Sequence, residues 1–452
     1  HSDSRHRPGP AFRSEGRWLR WLSPGIEENR SSLHADRDGA PQKDAGNQTV
    51  SRVDMKVLVI AAEFPPIHGG VATFARNLAE AIAQVGHDVR VVTCVGEKGT
   101  REEGPFTVTR AGTAPFARRY LKLISLITAS VLAVRRHRPA IIMCTRLSHD
   151  GVAGLALKWL QRTPYILVVH GSEVLQHRFH PMRRVIVRRV LRSAVHLIAN
   201  SNYTREIVVD FGIPTFRVTV IHPPLRPEDY VPPNLADVAA VERRYGLEDK
   251  RVLLTVGQLT ARKGHALVIE SLRELLPRYP NLAYAIVGGA GEARPQLEAL
   301  IDRLGLRDRV VFTGYLPANS LKALYSLCEL FVMPCRELPH DVEGFGIAFA
   351  EANLFGKPVI GGIGGGTADA VRDGETGLLV DPDDADAVTT AITRLLQDTE
   401  LATRLGQNGR RRALDELSVS AQLPLLKTIL SAAAVEVGAD DSPPVARWRE
   451  TR

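Results

Sequence analysis

The chain is short of several features, and each absence narrows what it can be. It has only four cysteines, Cys94, Cys144, Cys328 and Cys335, irregularly spaced and with no C-x-x-C pair. That argues against a disulfide framework or a zinc site and for a reducing compartment. No apolar run reaches the roughly 20 residues that a membrane span needs; the longest, 121–134, is too short and carries Lys122. No apolar h-region with a cleavage site marks a secretory signal. The first strand-to-helix turn holds no G-x-G-x-x-G, which disfavours a dinucleotide oxidoreductase. No D-x-D motif stands at a clear strand end, and no strong candidate for a covalent nucleophile presents itself. Arginines crowd 1–30, 118–138 and 178–192, yet no nucleic-acid motif accompanies them, so nucleic acid ranks last among partners for these basic patches.

What is present describes an ordinary globular protein, 44% hydrophobic and 24% charged, with a net charge of +8 over 452 residues. That length calls for two domains, since single cores stop growing at about 250–300 residues. Residues 1–54 are rich in Arg, Ser, Gly, Pro and Asp without a sustained period, a composition that predicts a disordered N-terminal extension. Within it, RWLRWLS reads as tail rather than as an amphipathic anchor. Met55 is the first methionine and directly precedes the strand-like KVLVIAAEF, so the native start is expected there.

From Met55 onward, apolar runs at 56–61, 88–94, 140–144, 165–169, 195–200 and 217–221 alternate with helical patterns near 70–85, 119–137, 151–162, 181–192 and 203–210. Short apolar runs separated by helices predict buried parallel strands, here a Rossmann-like domain over 55–222. The proline-rich stretch 223–250 reads as a linker. Strands near 251–256, 282–287, 309–313, 329–333, 357–360 and 377–380 then build a second such domain over 251–415. A helix over 416–435 and a polar tail over 436–452 end the chain. The expected class is α/β, two Rossmann-like, doubly wound parallel-sheet domains facing a cleft. Ligands of such sheets bind beyond the carboxyl ends of the strands.

The most informative stretch runs from Pro334 to Pro382. Glu343 and Glu351 stand eight residues apart, with Gly344-Phe345-Gly346 after the first. Eight helical residues rise about 12 Å, slightly over two turns, which predicts both carboxylates near one face. The helix expected to begin near Gly346 offers N–H groups and a positive dipole end to an anion. Gly69-Gly70, between the first strand and first helix, would let backbone approach a ligand closely. His170 stands at the cleft-facing end of a strand. Arg262-Lys263, after another strand, suit a diphosphate leaving group on which charge grows in the transition state. Ser201 reads equally as a helix cap or as a ligand contact, and Asp383-Asp384 as a cap.

The E-x7-E pair after a strand and beside GFG, together with GKPVI and TGLLVDP, resembles the retaining glycosyltransferases of the GT4 group. The resemblance covers about Met55–Leu430 and implies the two-domain GT-B fold, with the last helix crossing back onto the first domain. It assigns Glu343 to the donor sugar's hydroxyls and Glu351 to the nucleotide ribose. His170 falls to the sugar near its 6-hydroxyl, and Gly69 and Gly70 to the donor phosphates and acceptor. The implied catalytic set is His170, Glu343 and Lys263; the donor-binding set is Gly69, Gly70, Arg262, Phe345, Gly346 and Glu351. One departure stands out: the family carries Arg immediately after the Gly that matches Gly257, and this chain has Gln258 there. Arg262 is the candidate to supply the missing charge. The resemblance further implies front-face attack with retention of α configuration, the leaving phosphate helping to take the acceptor proton. No metal and no cofactor beyond the nucleotide-sugar co-substrate is expected.

The run from DVEGFGIAFAEA to GGTADAV is similar to that of phosphatidylinositol mannoside mannosyltransferases. It favours GDP-mannose, with a UDP-sugar-dependent glucosyl or N-acetylglucosaminyl transferase kept open. The expected partners are the nucleotide sugar and an acceptor glycan, glycolipid or small molecule. Arg118–Arg138 and His177–Arg192 suggest peripheral contact with anionic membrane, placing the protein in the cytoplasm, at the inner membrane face. Two readings of other classes stay open: a GT-B-fold sugar-nucleotide epimerase, and an inactive nucleotide-sugar-binding subunit, which Gln258 would explain.

Overall fold

The structure is a computed structural model and describes residues 55–113, 119–178 and 180–438. The expectations for the 1–54 extension, for Arg118 and for the tail beyond 438 lie outside the described residues.

Two parallel sheets carry the chain. In the first, β1 (Lys56–Ile60), β2 (Asp88–Val95), β3 (Gly99–Glu103), β4 (Phe106–Thr113), β5 (Ile141–Cys144), β6 (Tyr165–Val169), β7 (His196–Ala199) and β8 (Val218–Val220) lie in the order β3-β4-β2-β1-β5-β6-β7-β8. Every neighbouring pair is parallel except β3 with β4. In the second, β9 (Arg251–Val256), β10 (Leu282–Val287), β11 (Val310–Gly314), β12 (Leu330–Met333), β13 (Val359–Gly362) and β14 (Gly377–Val380) run in the order β11-β10-β9-β12-β13-β14.

The apolar runs are continuous because helices cover both faces of each sheet. Leu58 and Ile60 enter one core cluster, Val57 and Val59 the cluster behind the sheet, as the two-residue side-chain period requires. Leu253 and Leu254 divide in the same way in the second lobe. Strand order reverses between β1 and β5 and again between β9 and β12, which sets two switch points, the places where open α/β sheets bind ligands.

Two segments differ from the sequence reading. The β3–β4 hairpin was not expected, because β3, GTREE, is largely exposed and shows no apolar alternation. The stretch read as a linker holds the helix Leu235–Tyr245, capped by Asn234, whose side chain accepts from Asp237 N, and ended by a left-handed Gly246. Its Val238, Val241 and Tyr245, together with Leu225, pack into the second lobe's core. Prolines dominated the reading of a segment that nonetheless carries an i, i+3, i+7 apolar stripe.

The final helix, Val419–Gly438, crosses to the first lobe, where Val419, Leu426, Ile429, Leu430 and Ala433 join the cluster around Phe74 and Leu78. Beside the crossing, Leu225 N–H donates to Leu417 O at 2.8 Å and Val419 N–H to Leu225 O at 2.7 Å, so the outgoing and returning chains bind each other. Leu430 is 0% exposed. Leu430→Ala is therefore expected to cost about 2–5 kcal/mol, read as a fall in the urea midpoint; no change would mean that the crossing helix adds nothing to the first lobe.

Candidate active site

Both switch points deliver polar groups to one place. After β9 a short turn, Ala261–Lys263, presents Arg262 and Lys263. After β12 a loop carries Asp341 and Glu343 before the helix Ile347–Leu354 begins. Lys263 Nζ donates to Glu343 Oε2 at 2.5 Å and lies 3.4 Å from Met333 Sδ. Arg262 donates to the same Glu343 oxygen through Nη1, and its Nε donates to Asp341 Oδ2 at 2.9 Å. Burial alone would push the Glu343 carboxyl up, but Lys263 and Arg262 overcome it and hold its pKa down at about 2. The Cys335 thiol stands 3.7 Å from Glu343 Oε2 and is pushed up to about 12, mainly by burial. Glu343 is thus an anion held by two cations, as a buried charge must be.

Across the cleft, His170 follows β6. Its Nε2 lies 2.8 Å from Thr145 O; a carbonyl oxygen only accepts, so Nε2 carries the proton. Burial lowers the pKa of the ring, which leaves it neutral with Nδ1 as an acceptor. Its edge-on contact with Phe74, 5.2 Å between ring centroids, restricts the ring's orientation. Behind it lies a network of groups to which the sequence reading assigned no role. Glu173 accepts from His170 N at 3.2 Å, Leu147 N at 3.1 Å and Arg146 Nε at 3.1 Å, and Arg146 also pairs with Glu63. Asp150, only 1% exposed, accepts from Ala62 N at 2.8 Å and Thr145 Oγ1 at 2.9 Å. Burial pushes the Asp150 carboxyl up to about 7 despite these two bonds. One signal was available: an acid near the start of the apolar helix His149–Gln161, on a position its pattern would bury.

The second-lobe loop reaches across to this network. A Cβ at Gly344 would come within 2.2 Å of His170 O, so only glycine permits the approach that sets Glu343 beside His170. Val342 enters the first lobe's core cluster, and Phe345 stacks on His222 with centroids 5.1 Å apart. At the rim, Asn202 N and Nδ2 donate to Asp369 at 3.0 and 2.6 Å, Tyr203 donates to Glu337, and His68 stacks on Tyr315 at 5.5 Å. The Gly69-Gly70 pair opens the helix Gly70–Gln84, with Gly70 close to Ile347: a Cβ there would be 3.4 Å from its Cγ2.

Several candidates stand differently from their sequence reading. Glu343 and Glu351 do not share a helix: Glu343 lies in the loop, and Gly346, at φ 87°, turns the chain into the helix at Ile347. Glu351 instead accepts from Tyr230 Oη at 2.8 Å and Tyr325 Oη at 2.7 Å, and burial raises its pKa against those bonds. Phe345 is 2% exposed, so a ligand could meet only its backbone. Gln258 is exposed, and Arg262, the expected substitute, is already bound to Glu343 and Asp341 rather than standing as a free cation. Ser201 is 0% exposed and accepts from Thr204 N at 3.1 Å, the cap reading, as Asp384 does for its own helix. Among the described residues no group of three or more His, Cys, Asp or Glu is placed to hold a metal ion.

Two Rossmann-like sheets facing one polar cleft define a GT-B protein, and solved structures of that class superpose on this chain. Sucrose-phosphate synthase from Thermosynechococcus elongatus does so with a TM-score of 0.72 at 24% identity, over 84% of this chain and all of that one. Anabaena HepE in complex with UDP and glucose follows with a TM-score of 0.69 at 21% identity, over 84% and 100%. Residues 239–412 match the model for glycosyl transferases group 1 and residues 68–229 that for glycosyltransferase family 4; the chain belongs to the GT4-type glycosyltransferases. It is 38% identical to the GDP-mannose-dependent alpha-(1-6)-phosphatidylinositol monomannoside mannosyltransferase of Mycolicibacterium smegmatis over 54% of this chain, a match spanning 64% of that protein's length. The Mycobacterium tuberculosis protein of the same name is 28% identical over 78% of this chain and 92% of its own. Alpha-D-kanosaminyltransferase from Streptomyces kanamyceticus is 36% identical over 43% of this chain and 46% of its own.

Proposed function

We propose that the protein is a retaining hexosyltransferase that moves mannose from GDP-mannose to an acceptor hydroxyl on a glycan, glycolipid or small molecule at the cytoplasmic face of the membrane. The observation that carries this reading is the Lys263–Glu343–Arg262 cluster, brought beside His170 by the Gly344 contact. The names of the two mycobacterial relatives support the donor.

In this reading the bond between the sugar's anomeric carbon and the diphosphate oxygen breaks, and its electron pair leaves with the diphosphate. The acceptor oxygen attacks from the face that the phosphate vacates, and its proton passes to a departing phosphate oxygen, so α configuration is retained. Lys263 meets the charge that grows on the diphosphate, where a cation preorganised in a water-poor cleft is most effective, and Arg262 adds its positive field while tied to Glu343 and Asp341. Glu343, ionised, accepts from the sugar's hydroxyls while fixing both cations. His170 accepts the 6-hydroxyl at Nδ1. The backbone at Gly69-Gly70 and Gly346 borders the phosphates, and Glu351, steadied by its two tyrosines, takes the ribose.

A thermal-shift panel of GDP, UDP, ADP and their common sugars tests the reading. A ligand held only by the folded state contributes about 2.7 kcal/mol at a hundredfold excess over its Kd. A shift with GDP and GDP-mannose alone is expected. A shift with UDP-sugars instead would keep the family and overturn the donor. No shift with any nucleotide would mean that Gln258 has cost the diphosphate site, and the inactive-subunit reading would replace this one.

A further inference from the structure

The antiparallel β3–β4 hairpin meets the loop that leads from β1 to Gly69-Gly70. That loop holds Pro65-Pro66. Neither proline has an amide N–H, so the backbone there offers only carbonyls, and a hydrogen bond that anchors it must come from a donor elsewhere. Arg110, on β4, supplies one: its Nη2 donates to Pro65 O at 2.9 Å. The same guanidinium is held by Glu103, the last residue of β3, which accepts from Nη2 at 3.1 Å and also from Nη1. A planar fork of N–H groups can serve a carboxylate and a carbonyl at once, which a point charge such as lysine does less well. The Arg110 side chain is 11% exposed, so water competes little for these bonds.

The surroundings leave room for this arginine. A Cβ at Gly96, just after β2, would fall 2.5 Å from Arg110 Cδ. A cavity of roughly 250 Å³ lies alongside, with Pro66, Glu97, Arg101 and Glu103 among its walls, so Pro66 borders open space there and not packed side chains. One residue before Pro65, Phe64 meets Phe106 of β4 edge-on, with 6.0 Å between ring centroids. Both of these loop contacts come from β4. Three residues after Pro65 the loop is already in the cleft, where His68 stacks on Tyr315 of the second lobe and Gly69-Gly70 leads into the helix Gly70–Gln84.

We propose that Arg110 is a positioning residue for the donor's diphosphate: by holding Pro65 O it sets where the Gly69-Gly70 backbone meets the phosphates. Glu103 keeps the guanidinium on that carbonyl, which gives the exposed hairpin its task. A displacement of about 1 Å in a group that positions substrate can cost about 10²-fold, so one bond at the base of the loop is enough to matter. This deepens the transferase reading and rests on it, since that reading places the phosphates at Gly69-Gly70.

The test uses the full chain, with GDP and UDP as probes and guanosine and uridine as their phosphate-free controls. Arg110→Met keeps an apolar stem and removes both bonds. Arg101→Met, on the same hairpin but hydrogen-bonded to Glu97, is the matched control. For whichever nucleotide the wild type binds, Arg110→Met should raise the calorimetric Kd about tenfold and leave that of the nucleoside unchanged. Hydrogen exchange at the amides of 67–72 should quicken with it. Arg101→Met should change neither, and Arg110→Lys, which keeps a cation able to donate, should recover part of the loss. Nucleotide binding by Arg110→Met within about threefold of wild type would overturn the proposal. So would an equal loss of nucleotide and nucleoside that follows a fall in the urea midpoint, because the arginine would then serve only the fold. A wild type that binds neither nucleotide would remove the transferase reading and this proposal with it, and exchange at 67–72 would show separately whether Arg110 holds the loop.

Discussion

Lys263→Ala is expected to lower kcat/KM for hexosyl transfer about 10²–10³-fold, the usual effect of deleting one preorganised group aimed at developing charge. Lys263 is 9% exposed, so the cation it removes acts where water screens little. The same change leaves Glu343 with Arg262 alone. Breaking a buried pair outright costs about 3–5 kcal/mol, and the remaining guanidinium should keep the loss below that range. The pH dependence carries its own sign. The Glu343 carboxyl is held at about 2 against an ordinary 4.5; a depressed acid contributes stability above its unfolded pKa and loses it as pH falls through the folded one. Wild-type stability from this group should fade between about 4.5 and 2, and in Lys263→Ala that acid limb should move to higher pH. Urea midpoints across that range, with single-turnover transfer assays at neutral pH, measure both effects. Activity within threefold of wild type would remove Lys263 from the diphosphate.

Asp150→Ala is the second large effect. It strips the acceptor from two groups at once, Ala62 N–H and the Thr145 hydroxyl, and a buried donor left unmade costs about 1–3 kcal/mol each. Thr145 also supplies the carbonyl that fixes the His170 tautomer, so transfer should slow mainly through kcat, with the donor's thermal shift kept. Asp150→Asn separates shape from charge. The Asp150 carboxyl is raised from 3.8 to about 7. An acid raised on folding is fully tolerated below its unfolded pKa and becomes a cost as pH climbs toward the folded one. The stability of Asp150→Asn relative to wild type should therefore improve from about pH 4 to pH 7 and level off above it. A difference that stays flat with pH would mean that Asp150 is not held protonated by its site.

The fold was legible because it rests on local signals: KVLVI, IIMC and YILVV read as strands wherever they occur, and the helices between them have strong periods. Lys263 and Glu343 stand out in the sequence because they follow predicted strands, and the structure brings the two together at 2.5 Å. What escaped depends on partners distant in sequence. Glu351 is held by Tyr230 and Tyr325, and nothing near position 351 announces either. Asp150 acts on Ala62, far upstream, and His170 takes its tautomer from the carbonyl of Thr145. The helix begins where Gly346 marks it, and that start leaves Glu343 in the loop ahead of it, so the two carboxylates share no helical face. The exposed β3 hairpin was missed because an edge strand with little core contact carries little apolar pattern.

The paired crossings at Leu225 and Leu417–Val419 bear on how the cleft can work. A chain that enters and leaves the second lobe at one spot, with the two passages hydrogen-bonded to each other, leaves the lobes little freedom to slide or twist apart. What remains is rotation about that seam. Groups beside the seam, such as His222 on Phe345, would then shift little as the lobes part. The rim pairs, Asn202 with Asp369 and Tyr203 with Glu337, would separate like the free edge of a door. Substrate entry and product escape would be timed by those exposed edge contacts, while the alignment of Glu343 with His170 would be restored each time by the bridged chain segments at Leu225 and Ser418.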